Sequence, residues 1–318
     1  MKKKIINRII SFLLTLLVVS LFVFAAVDLA KGDSSLVVLS DEAGVEEVER
    51  YRKDNGLYDI FLIRYLRFLK SFFSFSWGRT VGGEKVVDVI LSRLPLTLSL
   101  TFFSIFLSLL ISLPLLFFSL SKVGGRRRQS ILTVLSSALM VIPTFISSLV
   151  LILIFSLWLK LFPVSGYVRL KDGIFPYLRS LFLPSLSLSF LHSAVMMKIM
   201  REALEESLKM NYTRTALAKG MKERKLVVLS AFRPSLPVLF SLVSDSLSVG
   251  FGGAAVVENI FALPGMGSLL VKGALERDGN LVSISVLIIA FLVSLFFFIA
   301  DLGSYFIDPR QRRSHEEN

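Results

Sequence analysis

The chain has 318 residues, of which 54% are hydrophobic and only 19% charged, with a formal net charge of +12. Soluble domains carry about 45–50% apolar and roughly 25% charged residues, so the composition is that of a membrane protein. The 28 Phe and the long Leu/Ile/Val runs exclude disorder, and the absence of Cys excludes disulfides, thiolate metal sites and Cys catalysis. A basic chain also raises nucleic-acid binding, but that needs a solvated basic face, which most of this sequence lacks.

A helix needs about 20 apolar residues to cross a hydrocarbon core of roughly 30 Å. Six segments meet that need: 9–27, 96–120, 131–159, 181–197, 238–257 and 281–307. The first follows a basic start of Lys2, Lys3, Lys4 and Arg8. Its uncharged run of 19 residues exceeds a signal peptide's apolar core of about 7–15, so a retained span is expected. The fourth segment is rich in serine, which suits close approach of helices. Asp245, with Gly250, Gly252 and Gly253, interrupts the fifth, and Asp301 lies near the end of the sixth.

Charge orients these spans. With both termini inside, 20 Lys and Arg but only seven acidic residues are inside; outside, 16 basic residues face 15 acidic ones. An excess of Lys and Arg in short inner loops is the expected sign of orientation. The chain therefore divides into an inner start and first span (1–27), an outer segment (28–93), a core of five spans (94–307) and an inner tail (308–318).

Within the outer segment, the acidic stretch 40–55 predicts a short helix capped by Ser40 or Asp41. Over 59–75, Arg64, Arg67 and Lys70 form one basic stripe on an apolar helix. Such a helix lies in the membrane interface or packs on the outer ends of the spans, and the two readings are compatible. In the loop 121–130, Arg126, Arg127 and Arg128 set topology, with lipid headgroup contact as the alternative.

The inner segment 198–236 carries nine of the basic residues. Leu204, Leu208, Tyr212 and Ala216 recur at i+4, which predicts one continuous stripe on a helix. Gly220 is placed to stop it, and a second helix is predicted from Lys222 to Phe232, before Pro234 and Pro237. Helix, glycine turn and helix in an inner loop describe a docking element, with an amphipathic helix lying on the membrane surface as the bland alternative.

Recognisable chemistry is otherwise missing. No G-x-x-x-x-G-K-[ST] loop occurs, and His192 and His315 have no partners at metal-ligand spacing, so neither cofactor nor metal nor enzyme activity is expected. Asp245 is a candidate pathway or proton-relay residue, or else a structural hydrogen-bonding group; Asp301 fits the inner interface.

At Tyr212-Thr213-Arg214-Thr215-Ala216-Leu217-Ala218-Lys219-Gly220 the chain resembles the coupling-loop motif of ABC importer permeases. The form is that of the peptide and nickel permeases related to the dipeptide and oligopeptide "B" subunits. Arg201 and Glu206 fit the same pattern upstream. Further matching pieces follow in family order. They include Trp77-Gly78-Arg79-Thr80, Arg93-Leu94-Pro95-Leu96-Thr97-Leu98, Ile142-Pro143-Thr144-Phe145 and Phe162-Pro163-Val164-Ser165-Gly166-Tyr167. Gly252-Gly253-Ala254-Ala255-Val256-Val257-Glu258, Phe261-Ala262-Leu263-Pro264-Gly265-Met266-Gly267 and Asp308-Pro309-Arg310 complete the series. The stretch Ser230-Ala231-Phe232-Arg233-Pro234-Ser235-Leu236-Pro237 departs from the pattern, as does Asp245.

The resemblance implies an all-α integral membrane protein with six transmembrane helices. Its fold would be the type I ABC importer permease fold, with a cytoplasmic coupling helix at about 201–220. Implied partners are a second permease, two cytoplasmic ATPases, an extracytoplasmic substrate-binding protein and membrane lipid, with no nucleic acid and no cofactor. Docking on the ATPase is expected of Arg201, Glu206, Tyr212, Arg214, Thr215, Ala216, Ala218, Lys219 and Gly220. Within that set Gly220 would make the tight turn, Ala216 and Ala218 would pack closely, and Arg214 and Lys219 would pair with acidic groups. Competing readings are an ion-coupled carrier using Asp245, although no inverted repeat spans the six segments, and a non-transporting scaffold. Substrates consistent with the resemblance include peptides, nickel chelates, glutathione-like compounds and oligosaccharides.

Overall fold

The computed structural model describes residues 2–30, 49, 53, 58–120 and 125–307. The predicted acidic helix at 40–55 (apart from residues 49 and 53), the loop 121–124 and the tail 308–318 with Asp308-Pro309-Arg310 lie outside the described residues. So do the side chains of Arg126, Arg127, Arg128 and Asp301. The described residues form helices joined by short loops, and the one strand-like feature among them is an isolated antiparallel bridge between Arg79 and Lys85. Two compact units are present, one of residues 1–97 and 264–294, the other of 98–263 and 295–318.

In the first unit, α1 (Lys2–Ala30) is apolar on all sides, and Leu13, Leu14, Leu17 and Phe22 are exposed. A helix of this length, with Ser20 and Val23 its buried residues among those described, suits lipid over most of its surface. Helix α2 (Phe61–Phe73) carries the predicted basic stripe. Arg64 makes a bidentate ion pair with Asp28 of α1 at 2.7 and 2.8 Å, and Arg67 pairs with Asp59 at 2.6 Å. The Tyr65 hydroxyl and Ser20 Oγ are 2.7 Å apart, while the ring of Phe24 meets Phe61, Tyr65 and Phe68. The helix is thus tied to α1, and its outward side still shows Leu62, Ile63 and Leu66.

Beyond α2, Trp77 is buried with Val86 and Ile90 of α3 (Val86–Leu120), Met266 and Leu269 of α10 (Met266–Leu275), and Leu281 and Ile284 of α11 (Gly279–Ile307). Two side chains lock the loop over this cluster. Asn280 Nδ2 donates to the Trp77 carbonyl at 2.6 Å. Asp278, 4% exposed, accepts the Val81 amide at 2.8 Å and, as an N-cap for α11, the Leu281 amide at 2.9 Å. Gly78 takes φ +71°, and an added Cβ would lie 3.2 Å from Asn280 Nδ2, so conformation and space both favour glycine there.

The second unit is built around α6 (Ile174–Lys209), whose most apolar stretch is 72% buried, against 6% for α1. Helices buried together in lipid gain little from hydrophobicity and are held by close packing and hydrogen bonds. The serines read from sequence serve this purpose. On α3, Ser104, Ser108 and Ser112 are buried at i+4 spacing, and Ser108 and Ser112 reach Met196 Sδ of α6 at 3.5 and 3.9 Å. Ser185 and Ser193 of α6 donate back to the carbonyls of Leu100 and Ser108. Helix α9 (Arg233–Ile260) crosses the same pair through glycine: a Cβ on Gly250 would stand 2.9 Å from Thr101 Cγ2 and 3.5 Å from His192 Cε1.

Two expectations are corrected here. The predicted span at 131–159 is two helices, α4 (Gly125–Val141) and α5 (Thr144–Leu151), the latter continued by a π-helical stretch (Ile152–Trp158), and they are bent by 99° at Ile142-Pro143. Pro143 disfavours the helical region for the residue before it and cannot donate to the preceding turn, and here the helix restarts after it at Thr144. Among the described residues five helices are long and apolar enough to cross a membrane, or six if the bent pair is one span. The predicted helix ending before Pro234 and Pro237 does not end there either. Helix α8 (Glu223–Leu226) and a π-helical turn (Val227–Phe232) lead without a break into α9. Pro234 and Pro237 therefore lie inside a continuous helical run, Pro234 just after the π-helical turn, where the hydrogen-bond ladder is already out of α register.

Candidate functional site

The segment singled out in the sequence forms a short helix, α7 (Asn211–Ala218), set between α6 and α8. Its start is a backbone break. Met210 is extended, with ψ 151°, although Leu208, Lys209 and Met210 itself are good helix formers. The amides of Thr213 and Arg214 bond back to the Met210 carbonyl at 3.0 and 3.3 Å and open the new helix. The continuous stripe expected through Leu204, Leu208, Tyr212 and Ala216 is therefore interrupted: Leu204 is fully buried in the unit's core, whereas Tyr212 is 39% exposed.

The end of α7 is built by Gly220, at φ +78°. The Gly220 amide donates to the Leu217 carbonyl at 2.9 Å and the Met221 amide to the Ala216 carbonyl at 3.1 Å. This pair of bonds is a Schellman motif, which requires the left-handed conformation at Gly220. No atom lies within 4 Å of where its Cβ would be, so within this chain glycine is required by conformation and not by crowding.

Thr213, which the sequence reading did not single out, anchors the helix. It is 1% exposed and its Oγ1 donates to the Ser207 carbonyl of α6 at 2.8 Å. With that side held down, Tyr212, Arg214, Thr215, Leu217, Ala218, Lys219 and Gly220 are exposed, and Ala216 is half-buried. Leu217 is a second omission: at 51% exposure it puts an apolar side chain among the charged ones. The burial signal for Thr213 was not available from a polar residue in a polar stretch.

Arg201 and Glu206 lie apart from this face, on α6. Arg201 pairs with Glu205 at 2.7 Å and donates to Thr133 Oγ1 of α4 at 2.8 Å. The two helices, with the end of α3, border a half-open pocket of about 280 Å³ lined by Leu116, Met197, Lys198, Arg201, Glu202 and Glu205, among others. Glu206 is exposed. Asp245 is exposed on α9, and no ion pair or hydrogen bond to it is present among the described residues. Among the described residues no three His, Cys, Asp or Glu are grouped as metal ligands would be.

Outside the spans, burial raises the Tyr167 phenol above its ordinary pKa, assisted by the neighbouring Tyr177 and opposed by Arg169. The ring of Tyr177 lies 6.2 Å from it, edge-on.

The site is thus one short exposed helix, α7, between the long α6 and the run α8–α9. Residues 116–313 match the family described as the binding-protein-dependent transport system inner membrane component. A peptide transport system permease protein of Brucella abortus is 31% identical over 97% of this chain and 98% of its own. The oligopeptide transport system permease protein of Bacillus subtilis is 30% identical over 96% of this chain and 98% of its own, and a nickel import system permease protein of Staphylococcus aureus is 28% identical over 98% and 92%. An inward-facing structure of the MetNI methionine ABC transporter shares the fold, with a TM-score of 0.56 and 17% identity over 69% of this chain and 96% of that one.

The chain belongs to the family of inner-membrane permease components of binding-protein-dependent ABC transporters. It is an all-α integral membrane protein with the type I ABC importer permease fold, and the family's transport systems include ATPase and substrate-binding partners.

Proposed function

We propose that this chain is one of two permease subunits of an ATP-driven importer for peptides or related small solutes, and that α7 is the coupling helix that docks on a separate cytoplasmic ATPase. Both termini and α7 are then on the cytoplasmic side, as the excess of Lys and Arg in the short inner loops supports. The relatives named as peptide and oligopeptide permeases support the substrate class.

The observation that carries this reading is α7 itself. It is eight residues long, closed by a Schellman stop and pinned to α6 through Thr213, and its other faces are open. A helix of fixed ends can pass a push from an ATPase to α6 on one side and to α9 on the other. Tyr212 and Leu217 supply apolar contact, and Arg214 and Lys219 supply charge for acidic groups. Empty space beside Gly220 leaves room for a partner's backbone.

The chain has no Cys, so a single introduced thiol is unambiguous. Ala218→Cys in membranes holding the assembled transporter should cross-link to the ATPase, and the cross-link should weaken or strengthen on adding nucleotide. Absence of any cross-link at Ala218→Cys and Leu217→Cys, with the ATPase present in the purified complex, would overturn the docking assignment.

A further inference from the structure

We infer that Asp245 is the charge-selecting residue of a water-filled solute pathway and that it favours solutes carrying a positive group, such as the free amino terminus of a peptide. The inference rests on the permease reading above and deepens it.

Helix α9 has two unlike sides. One holds Leu242, Leu247, Gly250, Ala254 and Val257, all buried within the unit. The opposite side, at the 3.6-residue period, carries Ser241, Asp245, Ser248, Gly252 and Asn259. Ser241, Asp245, Gly252 and Asn259 are exposed, Ser248 is half-buried, and a Cβ on Gly252 would meet no atom within 4 Å.

The three neutral polar side chains satisfy themselves within the helix. Ser241 donates to the Pro237 carbonyl at 3.2 Å, Ser248 to that of Ser244 at 3.2 Å, and Asn259 to that of Ala255 at 2.7 Å. Asp245 has no such partner among the described residues. It lies about 18 Å from the start of α9 and about 22 Å from its end at 1.5 Å per residue. Too short to reach either interface, a bare carboxylate at this depth is costly against lipid. The stripe, flanked by the exposed Val249 and Val256, therefore faces water, and a single uncompensated carboxylate among two hydroxyls and an amide attracts cations and repels anions.

The test uses a thiol beside the carboxylate. Ser248→Cys and, separately, Gly252→Cys are made in the full-length chain within its assembled transporter. Each is reacted at low ionic strength with a cationic trimethylammonium methanethiosulfonate and with its anionic sulfonate counterpart. Residues three or four apart on a helix are about 6 Å apart. One charge at that distance in water changes each rate about threefold, in opposite directions for the two reagents, so the cation should react roughly tenfold faster at Ser248→Cys. Adding Asp245→Asn should remove most of that preference while both thiols stay reactive.

Thiols that react with neither reagent would place the stripe against lipid or a second permease and overturn the inference. So would a cation preference that survives Asp245→Asn, or none before it. Failure of the ATPase cross-link at Ala218→Cys would instead remove the docking assignment and leave these rates unchanged.

Discussion

The Met221 amide donates to the Ala216 carbonyl at 3.1 Å across Gly220, and that bond ends α7. It exists because residue 220 stands at φ +78°. Gly220→Asn should retain most transport, since Asn tolerates this region, whereas Gly220→Val, whose branched Cβ resists it, should unravel the last turn. The expected result for Val is normal membrane insertion, ATP hydrolysis that no longer follows substrate delivery, and uptake lowered at least tenfold. Comparing uptake with ATPase rate in reconstituted vesicles checks this, and equal uptake by the two variants would contradict it.

Thr213 makes a second, separable prediction. Thr213→Val keeps the shape but removes the hydrogen bond to Ser207 and leaves that carbonyl short of a donor, at a cost of about 1 kcal/mol. Global stability should change little, because the loss is local. Hydrogen exchange at the amides of residues 211–218 should quicken several-fold.

Arg201 should behave differently from the exposed face of α7. It links α6 to α4 through Thr133 and pairs with Glu205, and it is only partly exposed. Arg201→Met should lower thermal stability by an amount near 1 kcal/mol, given solvent screening of the pair, while an ATPase cross-link at Ala218→Cys persists. A thermal melt of the detergent-solubilised complex, with the cross-link as a parallel readout, separates the two roles.

Gly250 tests the helix crossing. A Cβ placed 2.9 Å from Thr101 Cγ2 forces the helices apart, and overpacking of this kind costs about 1–3 kcal/mol. Gly250→Ala should therefore reduce the amount of folded chain, and Thr101→Ser, which deletes the obstructing methyl, should restore it. Non-additive effects in the double variant are the signature of direct contact.

Asp278 should be the costliest position in the loop between α10 and α11. Asp278→Ala leaves the Val81 and Leu281 amides without their acceptor, about 1–3 kcal/mol for the buried Leu281 donor and less for Val81, which water can reach, whereas Asp278→Asn keeps one carbonyl oxygen and should cost about half as much. Proteolysis of the loop at 79–85 in the detergent-solubilised protein reads the difference.

The apolar runs were legible because a span is a property of composition over about 20 residues. Gly220 was legible for a related reason: no other residue enters its backbone region so readily. The bend at Pro143 was not, because apolar residues on both sides make 131–159 read as one span and a single proline barely alters that sum. The break at Met210 was still less visible. Leu204, Leu208, Tyr212 and Ala216 keep helical spacing through it, so local pattern favoured one helix and tertiary anchoring by Thr213 decided for two. The role of Arg201 depended on Thr133, 68 residues away, which spacing along one helix does not reveal.

Helix α6 runs 36 residues, about 54 Å, from Ile174 to Lys209, and α7 hangs directly from its end. A rod of that length is a lever. A tilt of about 10° at the Lys209 end carries the Ile174 end roughly 9 Å, about one helix diameter. Near the Lys209 end, Met196, Met200 and Leu204 are packed into one core with Ile105 and Leu116 of α3 and Leu242 and Leu247 of α9, so a push arriving through α7 carries these neighbours along with the rod.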